Sequence, residues 1–294
     1  MDIHILCHGL GNQLSQYAFF LRRRALGQRA HAFYAFAEHN GYELNRIFGL
    51  KEGLPWYLWF VPVVFRIGRS RRFYSARTAE VLLSLLRIRI VVESETYHFD
   101  PELLKSWFGI RILFGGWHDP RYFEGAEPLV RETYTLPALD DRNAKIIQDI
   151  DASNSVSLHV RRGDYLKGKN HEMFGDIATV DYYRNAIARV IVESDRLGKP
   201  PRFFVFSDDI TWCRENLDIS NAMFVSGNSG RDSWKDLVLM ARCRTNVIAN
   251  STFSWWAAWL NDHPSKQVLC PTRFVNNEVP GESIYPPQWQ RVQG

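Results

Sequence analysis

At 294 residues, the chain is long enough for about two domains at roughly 150 residues each. Hydrophobic residues at 46% and charged residues at 23% exclude disorder, collagen and coiled coil as its main state. The net charge of +4 suits an anionic partner such as a phosphate or an acidic membrane surface. It is too small for a dedicated nucleic-acid binder.

The chain opens on a strand-like run, Ile3 to Cys7, with no secretory signal ahead of it. A turn at Gly9-Leu10-Gly11 and a helix from about Gln13 to Leu26 follow. Residues 40–110 are less regular and read as more helical. Within them, Leu54 to Phe65 is apolar and uncharged but carries Pro55 and Pro62. It falls short of the about 20 residues a membrane span needs. Trp56, Tyr57, Trp59 and Phe60 sit in this stretch, and Arg66, Arg69, Arg71, Arg72 and Arg77 come directly after it. Two readings stay open: a core segment ahead of a solvated basic helix, or a peripheral membrane contact over residues 54–77. Pro137, Asp140, Asp141, Asp151 and Ser153-Asn154-Ser155 mark a lobe boundary within 136–155.

The second half alternates regularly. Strand-like runs at Ser157–Val160, Phe203–Phe206, Met223–Val225, Val247–Ala249 and Val268–Cys270 are separated by helical patterns near 180–197, 210–217, 232–242 and 254–261. Such alternation predicts a parallel α/β sheet. Cys7, Cys213, Cys243 and Cys270 are scattered and form no CxxC pair. Neither a zinc site nor a disulfide framework is indicated, and a reducing, cytoplasmic setting is expected, peripheral on the inner face of the membrane if the 54–77 segment docks.

Open parallel sheets bind ligands at the carboxyl ends of their strands, and four strand ends here carry polar motifs. His8-Gly9-Leu10-Gly11-Asn12-Gln13 is a Gly-x-Gly turn into a helix. It is neither a dinucleotide fingerprint nor a P-loop. In His159-Val160-Arg161-Arg162-Gly163-Asp164-Tyr165, alternation sends His159 and Arg161 to one face. Two guanidinium forks at a strand end suit phosphate, and Asp164 can orient an arginine or act as a base. Ser207-Asp208-Asp209 caps the next helix, touches a ligand, or does both. Asn250-Ser251-Thr252-Phe253-Ser254 opens a helix whose free N–H groups and dipole form an anion cradle. Trp255, Trp256 and Trp259 follow it, read mainly as core. Together these fragments describe a site for a phosphorylated ligand between two lobes, with no metal ligand set.

In this order and spacing, Gly9-Leu10-Gly11-Asn12-Gln13-Leu14-Ser15-Gln16-Tyr17-Ala18, His159 to Tyr165, Phe206 to Asp209 and Ala249 to Trp256 resemble the motif set of the α-1,2-fucosyltransferases, glycosyltransferase family eleven. The resemblance runs to about residue 275. His8 departs from it, standing where a small residue is expected, and residues 50–125 match none of its motifs. The resemblance implies a two-lobed GT-B-type α/β fold. It assigns residues 1–150 to an acceptor-side lobe and 151–294 to a Rossmann-like GDP-fucose lobe. The implied reaction is inverting transfer of L-fucose from GDP-L-fucose to a galactose 2-hydroxyl of a β-galactoside, without a metal cofactor. It further implies that Arg161 contacts the diphosphate with Arg162 in support. Asn250, Ser251, Thr252, Phe253 and Ser254 would cradle the phosphates. His159, Ser207 and Asp208 or Asp209 would lie near the nucleoside, and Asn12 and Gln13 would be acceptor contacts. Asp164 is the first candidate base, with His171, Glu172 and Asp176 as alternatives. Another GDP-sugar transferase, or a non-catalytic sugar binder stacking sugar on Trp255 and Trp256, are the rival readings.

Overall fold

The computed structural model describes residues 1–36, 39–69 and 83–294. Arg71, Arg72 and Arg77, part of the basic run in the sequence, lie outside them. The chain forms two compact units, Met1–Thr135 and Leu136–Gly294.

The first unit contains β1 (Asp2–Leu6), α1 (Leu10–Ala25), β2 (Ala30–Tyr34), α2 (Glu43–Phe48), α3 (Val61–Arg69), β3 (Ile88–Val92), β4 (Ile110–Phe114) and α4 (Glu127–Thr133). Its strands form a parallel sheet in the order β2-β1-β4-β3. On one face Ile3, Ile5, Ile88 and Ile112 pack with Leu58, Val61 and Phe65. Elsewhere Phe19, Leu113, Trp117 and Tyr122 form a second cluster. Register sets Asp2 opposite Arg111, and the two pair through Nε at 2.8 Å and Nη2 at 2.9 Å. Arg23 of α1 joins the same carboxylate at 2.6 Å. Among the described residues of the middle segment, α2 and α3 are helical as expected, and Ile88–Val92 is a strand of the sheet.

The second unit contains α5 (Asp141–Asp151), β5 (Asn154–Val160), α6 (Gly168–Phe174), α7 (Val180–Arg196), β6 (Pro201–Ser207), α8 (Ile210–Asn216), β7 (Ala222–Phe224), α9 (Trp234–Arg242), β8 (Thr245–Val247), α10 (Thr252–Leu260), β9 (Gln267–Pro271) and β10 (Gln290–Val292). All six strands are parallel, in the order β10-β9-β8-β5-β6-β7. Read from β7, that is third-second-first-fourth-fifth-sixth, the doubly wound Rossmann order. Thr179 caps α7 by accepting Tyr182 N–H at 3.2 Å. The helix then buries Tyr182, Tyr183, Ala186, Ile187 and Val190, a one-sided stripe set against Val156, Leu158, Val160, Phe203 and Val205 of β5 and β6.

The α/β class and the parallel Rossmann-like sheet in the C-terminal half are as expected from the sequence. The division between units falls at 135/136 rather than 150/151, because α5 is held by second-unit partners. Arg242 grips Asp151 at 2.8 and 2.9 Å, Arg202 reaches Asp149 at 3.0 Å, and Lys235 reaches Asp140 at 2.8 Å.

Candidate active site

The doubly wound order places the switch point of the second unit between β5 and β8, whose chains leave the sheet in opposite directions there. Register pairs Leu158 with Val247, so Arg161 and Asn250 each lie three residues beyond that pair. The second and fourth motifs are therefore neighbours across the switch point. Tyr165 ties them together by donating its hydroxyl to the Asn250 carbonyl at 3.2 Å. β6 lies on the other side of β5 and delivers Ser207-Asp208-Asp209 beside them.

Arg161 is held between two carboxylates. Nη2 lies 2.7 Å from Asp164 and Nη1 3.1 Å from Asp208, with the guanidinium still 35% exposed. Asp208 also accepts the Arg162 N–H at 3.0 Å. A Cβ at residue 163 would stand 2.6 Å from Asp208 Oδ2, so Gly163 is what lets this carboxylate close on the loop. Arg162 reaches Asp209 at 3.4 Å, and its guanidinium lies over the Trp212 ring, 3.9 Å from the centroid. Asp209 is also the helix cap: Oδ1 accepts Trp212 N–H at 3.0 Å, while Ser207 Oγ accepts Asp209 N–H at 2.9 Å. Capping thus falls to Asp209, while Asp208 serves the arginines.

His159 points to the face opposite Val160, as alternation requires, with its ring 5.8 Å from Phe253. Burial, helped by the nearby Arg161 charge, pushes its pKa down to about 3. Its Nδ1 is buried with no hydrogen-bond partner among the described residues. Held neutral, this imidazole has a buried, unpaired ring nitrogen; such a nitrogen is able to accept or donate one hydrogen bond according to tautomer.

The start of α10 turns the first-turn N–H groups of Phe253 and Ser254 out of the intrahelical ladder, and the Ser251 side chain makes no capping hydrogen bond to them. Two residues of this motif are spent elsewhere. Asn250 is buried and donates Nδ2 to the Phe174 and Phe274 carbonyls at 3.0 and 3.1 Å. It positions the loop. The Ser254 hydroxyl, fully buried, turns back to the Ala249 and Ser251 carbonyls, leaving only its N–H for a ligand. Trp255, Trp256 and Trp259 are all buried, which removes the stacking platform a sugar-binding protein would need.

The first unit has its own switch point between β1 and β4. Gln16 pins it by accepting Cys7 N–H at 2.9 Å and donating to the Gly115 carbonyl at 2.8 Å. The Gly-x-Gly turn is shorter than expected, since α1 already begins at Leu10. His8 adopts a left-handed φ of 64°, a conformation that a small or flexible residue would take more readily. Asn12 is half-buried on the first turn of α1. Gln13 is a correction to the expectation from sequence. It is fully buried, donates to the His8 and Gly41 carbonyls at 2.8 and 2.9 Å, and accepts Glu43 N–H at 3.0 Å. Its amide stitches the start of α2 to the turn and has nothing left for an acceptor.

The sequence did not single out two features. One is Trp212 beneath Arg162, whose only local signal was its place in the turn capped by Asp209. The other is Glu93 at the end of β3. Glu93 Oε2 accepts Gly116 and Trp117 N–H at 2.6 and 2.9 Å, and burial pushes its pKa up to about 7. His118 beside it, Nδ1 2.9 Å from Ser15 Oγ, is pushed by burial down to about 3.

A family model described as "Glycosyl transferase family 11" matches residues 113–293, covering both motif-bearing strand ends of the switch point. The chain belongs to glycosyltransferase family 11. Within the family it is similar to an α-1,2-colitosyltransferase of Escherichia coli, 30% identical over 98% of this chain and 97% of the relative. The O-antigen biosynthesis glycosyltransferase WbnK of Escherichia coli is 38% identical over 42% of the chain and 39% of its own length. Galactoside α-(1,2)-fucosyltransferase 1 of Saimiri sciureus is 36% identical over 46% of the chain and 37% of its own. The solved fucosyltransferase NodZ from Bradyrhizobium aligns over 87% of this chain and 90% of its own at a TM-score of 0.47 and 15% identity; the fold assignment rests instead on the strand order. This family 11 chain is a glycosyltransferase.

Proposed function

We propose that the protein transfers L-fucose from GDP-L-fucose to the 2-hydroxyl of a terminal β-galactoside, with inversion and without a metal. The observation that carries this reading is Arg161, fixed by two carboxylates and partly exposed, beside the start of α10 across the switch point. In the reaction the acceptor oxygen bonds to the anomeric carbon as the bond from that carbon to the diphosphate breaks. The electron pair leaves with GDP, and the hydroxyl proton passes to a base. Charge therefore grows on the diphosphate, and preorganised donors must meet it. Arg161, Arg162 and the N–H groups of Phe253 and Ser254 are those donors, with the Ser251 and Thr252 hydroxyls on the same turn. Asp208 and Asp209 are committed to the two arginines, which supports positioning by protein cations rather than a bridging metal.

His159, with its open Nδ1, takes the donor's nucleoside side, and Asn12 remains the acceptor contact of the first unit. Asp164 is the proposed base. Its 2.7 Å pair with Arg161 gives it a second role in holding that arginine. The pH–rate profile of Asp164→Asn separates the two: a base takes the acidic limb with it, whereas an orienting group lowers kcat and leaves the limb in place.

The identity to a colitosyltransferase over nearly the whole chain favours one second reading, a GDP-colitose donor. Colitose is fucose without its 3-hydroxyl. A site built to hydrogen-bond that hydroxyl rejects the deoxy sugar by about 10⁴-fold or more, whereas a site that does not separates the two weakly. The test is transfer from both donors to a panel of β-galactosides, with and without EDTA, followed by linkage analysis. Loss of activity in EDTA overturns the metal-free site, and failure of GDP to bind in calorimetry overturns the donor assignment.

A further inference from the structure

The segment 56–65 of the first unit is apolar on both sides. Inward, Leu58, Val61 and Phe65 are buried in the sheet cluster. Outward, Trp56, Trp59, Val63 and Arg66 follow at helical spacing. Trp56 is 85% and Trp59 73% exposed, and Tyr57, Val63 and Arg66 are exposed beside them. A segment that only covers a core has a polar outer face; the 3-10 turn Trp56–Leu58 and Trp59 after it instead expose two tryptophans and a tyrosine, and α3 behind them exposes Val63 and Arg66. A second apolar group stands at the amino ends of β3 and β4, where Leu85, Leu86 and Phe108 are exposed. Arg87 lies over the Phe108 ring at 4.5 Å. Leu83, Ile88 and Ile110, from the same segments, pack into the cluster that holds Leu58 and Phe65.

The charge on these segments has one sign. Residues 53–69 and 83–92 contain Arg66, Arg69, Arg87 and Arg89 and no Asp or Glu. Exposed tryptophan and tyrosine side chains interleaved with arginine and free of acid match the interfacial layer of an anionic bilayer. There the ring bodies enter the headgroup boundary and the guanidinium groups meet lipid phosphates. We infer that this face of the first unit docks the enzyme on an anionic lipid surface, as a peripheral contact and not a span. No helix among the described residues is long and apolar enough to cross a membrane. A lipid surface is preferred to a protein partner because the described exposed aromatic side chains stand with Arg66, Arg87 and Arg89, on stretches (53–66 and 83–92) that contain no Asp or Glu. Arginine attraction to such a surface is screened over a Debye length, so it weakens as salt rises.

The test is co-sedimentation with phosphatidylcholine vesicles and with vesicles containing phosphatidylglycerol, at low and high salt. The full chain is compared with Trp56→Ala/Trp59→Ala and with Arg66→Glu/Arg87→Glu, and GDP calorimetry is run on all three. The wild type is expected to bind the phosphatidylglycerol vesicles and release in high salt, and both double variants to partition at least tenfold more weakly. GDP affinity is expected to stay unchanged, since these side chains belong to the first unit. Equal partitioning of the variants overturns the inference, as does absence of vesicle binding by the wild type. It is also overturned if the wild type fails to bind vesicles and is a dimer that the tryptophan variant dissolves, since the face is then a contact between copies of this chain. Because GDP binding is read separately, failure here leaves the transferase reading standing.

Discussion

Each unit contains a three-membered ion cluster, and the two are inverses. In the first, Asp2 lies between Arg23 and Arg111 at the amino edge of the sheet, with all three side chains 2–3% exposed. In the second, Arg161 lies between Asp164 and Asp208 at the carboxyl edge, with exposures of 35%, 42% and 25%. Similar residues and similar distances do different jobs. The carboxylate of the buried cluster is saturated, and its arginines also donate to the carbonyls of Leu103, Leu104 and Lys105. It holds α1, β1 and β4 together and offers nothing outward. In the half-exposed cluster the cation is in the centre, held by carboxylates yet open to solvent, ready for an anion. Burial and position, more than residue type, separate a closed structural ion cluster from the open one proposed to bind an anion.

Breaking the buried cluster has the largest expected cost. Removing one partner of a buried pair leaves an uncompensated charge, so Asp2→Asn is expected to lose about 3–5 kcal/mol of stability. Denaturant unfolding measures this, and GDP affinity of the folded fraction should not change. Arg161→Ala should do the reverse: kcat falls by about 10²–10³, while the melting temperature stays near wild type because the site is open to water. A variant within tenfold of wild-type activity removes Arg161 from the mechanism. Gly163→Ala probes the same site more gently. The added methyl must displace Asp208 from Arg161, and a displacement of this size costs up to about 10²-fold in rate. The neighbouring Asp209–Trp212 cap should survive, so helical content by circular dichroism is unchanged.

The smallest effect concerns pH. His4, His118 and His159 are all held by burial near a pKa of about 3. They stay neutral in the fold while the unfolded imidazoles protonate below 6.5. The stability they contribute is full above pH 6.5 and is lost as pH falls below it. Glu93 and Asp236 have the opposite sign. Both are raised by burial to about 7 from the ordinary carboxyl values of 4.5 and 3.8, so their contribution is present at low pH and is lost as pH rises to 7. Stability should therefore peak near pH 6.5. Glu93→Gln keeps an oxygen for the Gly116 and Trp117 N–H groups but removes one titration. Its melting temperature relative to wild type should be higher at pH 8 than at pH 5; an unchanged difference would show that Glu93 does not titrate in this window.

Local pattern carried much of the architecture. Alternation in Ser157–Val160 put His159 and Val160 on opposite faces, the spacing of Tyr183, Ile187, Val190 and their neighbours announced a one-sided helix, and the four polar motifs do follow the carboxyl ends of β1, β5, β6 and β8. These properties depend on residues within one or two turns of each other, and the sequence by itself determined them. Partner choice was decided only by the tertiary structure. Asp208 meets the Arg162 N–H across 46 residues of chain, and Arg162 settles over Trp212, because the sheet order puts β6 beside β5. Gln13 carried a motif residue's identity but spends its amide on α2. Trp255 and Trp256 had the chemistry to stack on sugars but face the core. A side chain's chemistry is written in the chain; whether it is consumed inside or left open depends on what the fold packs against it.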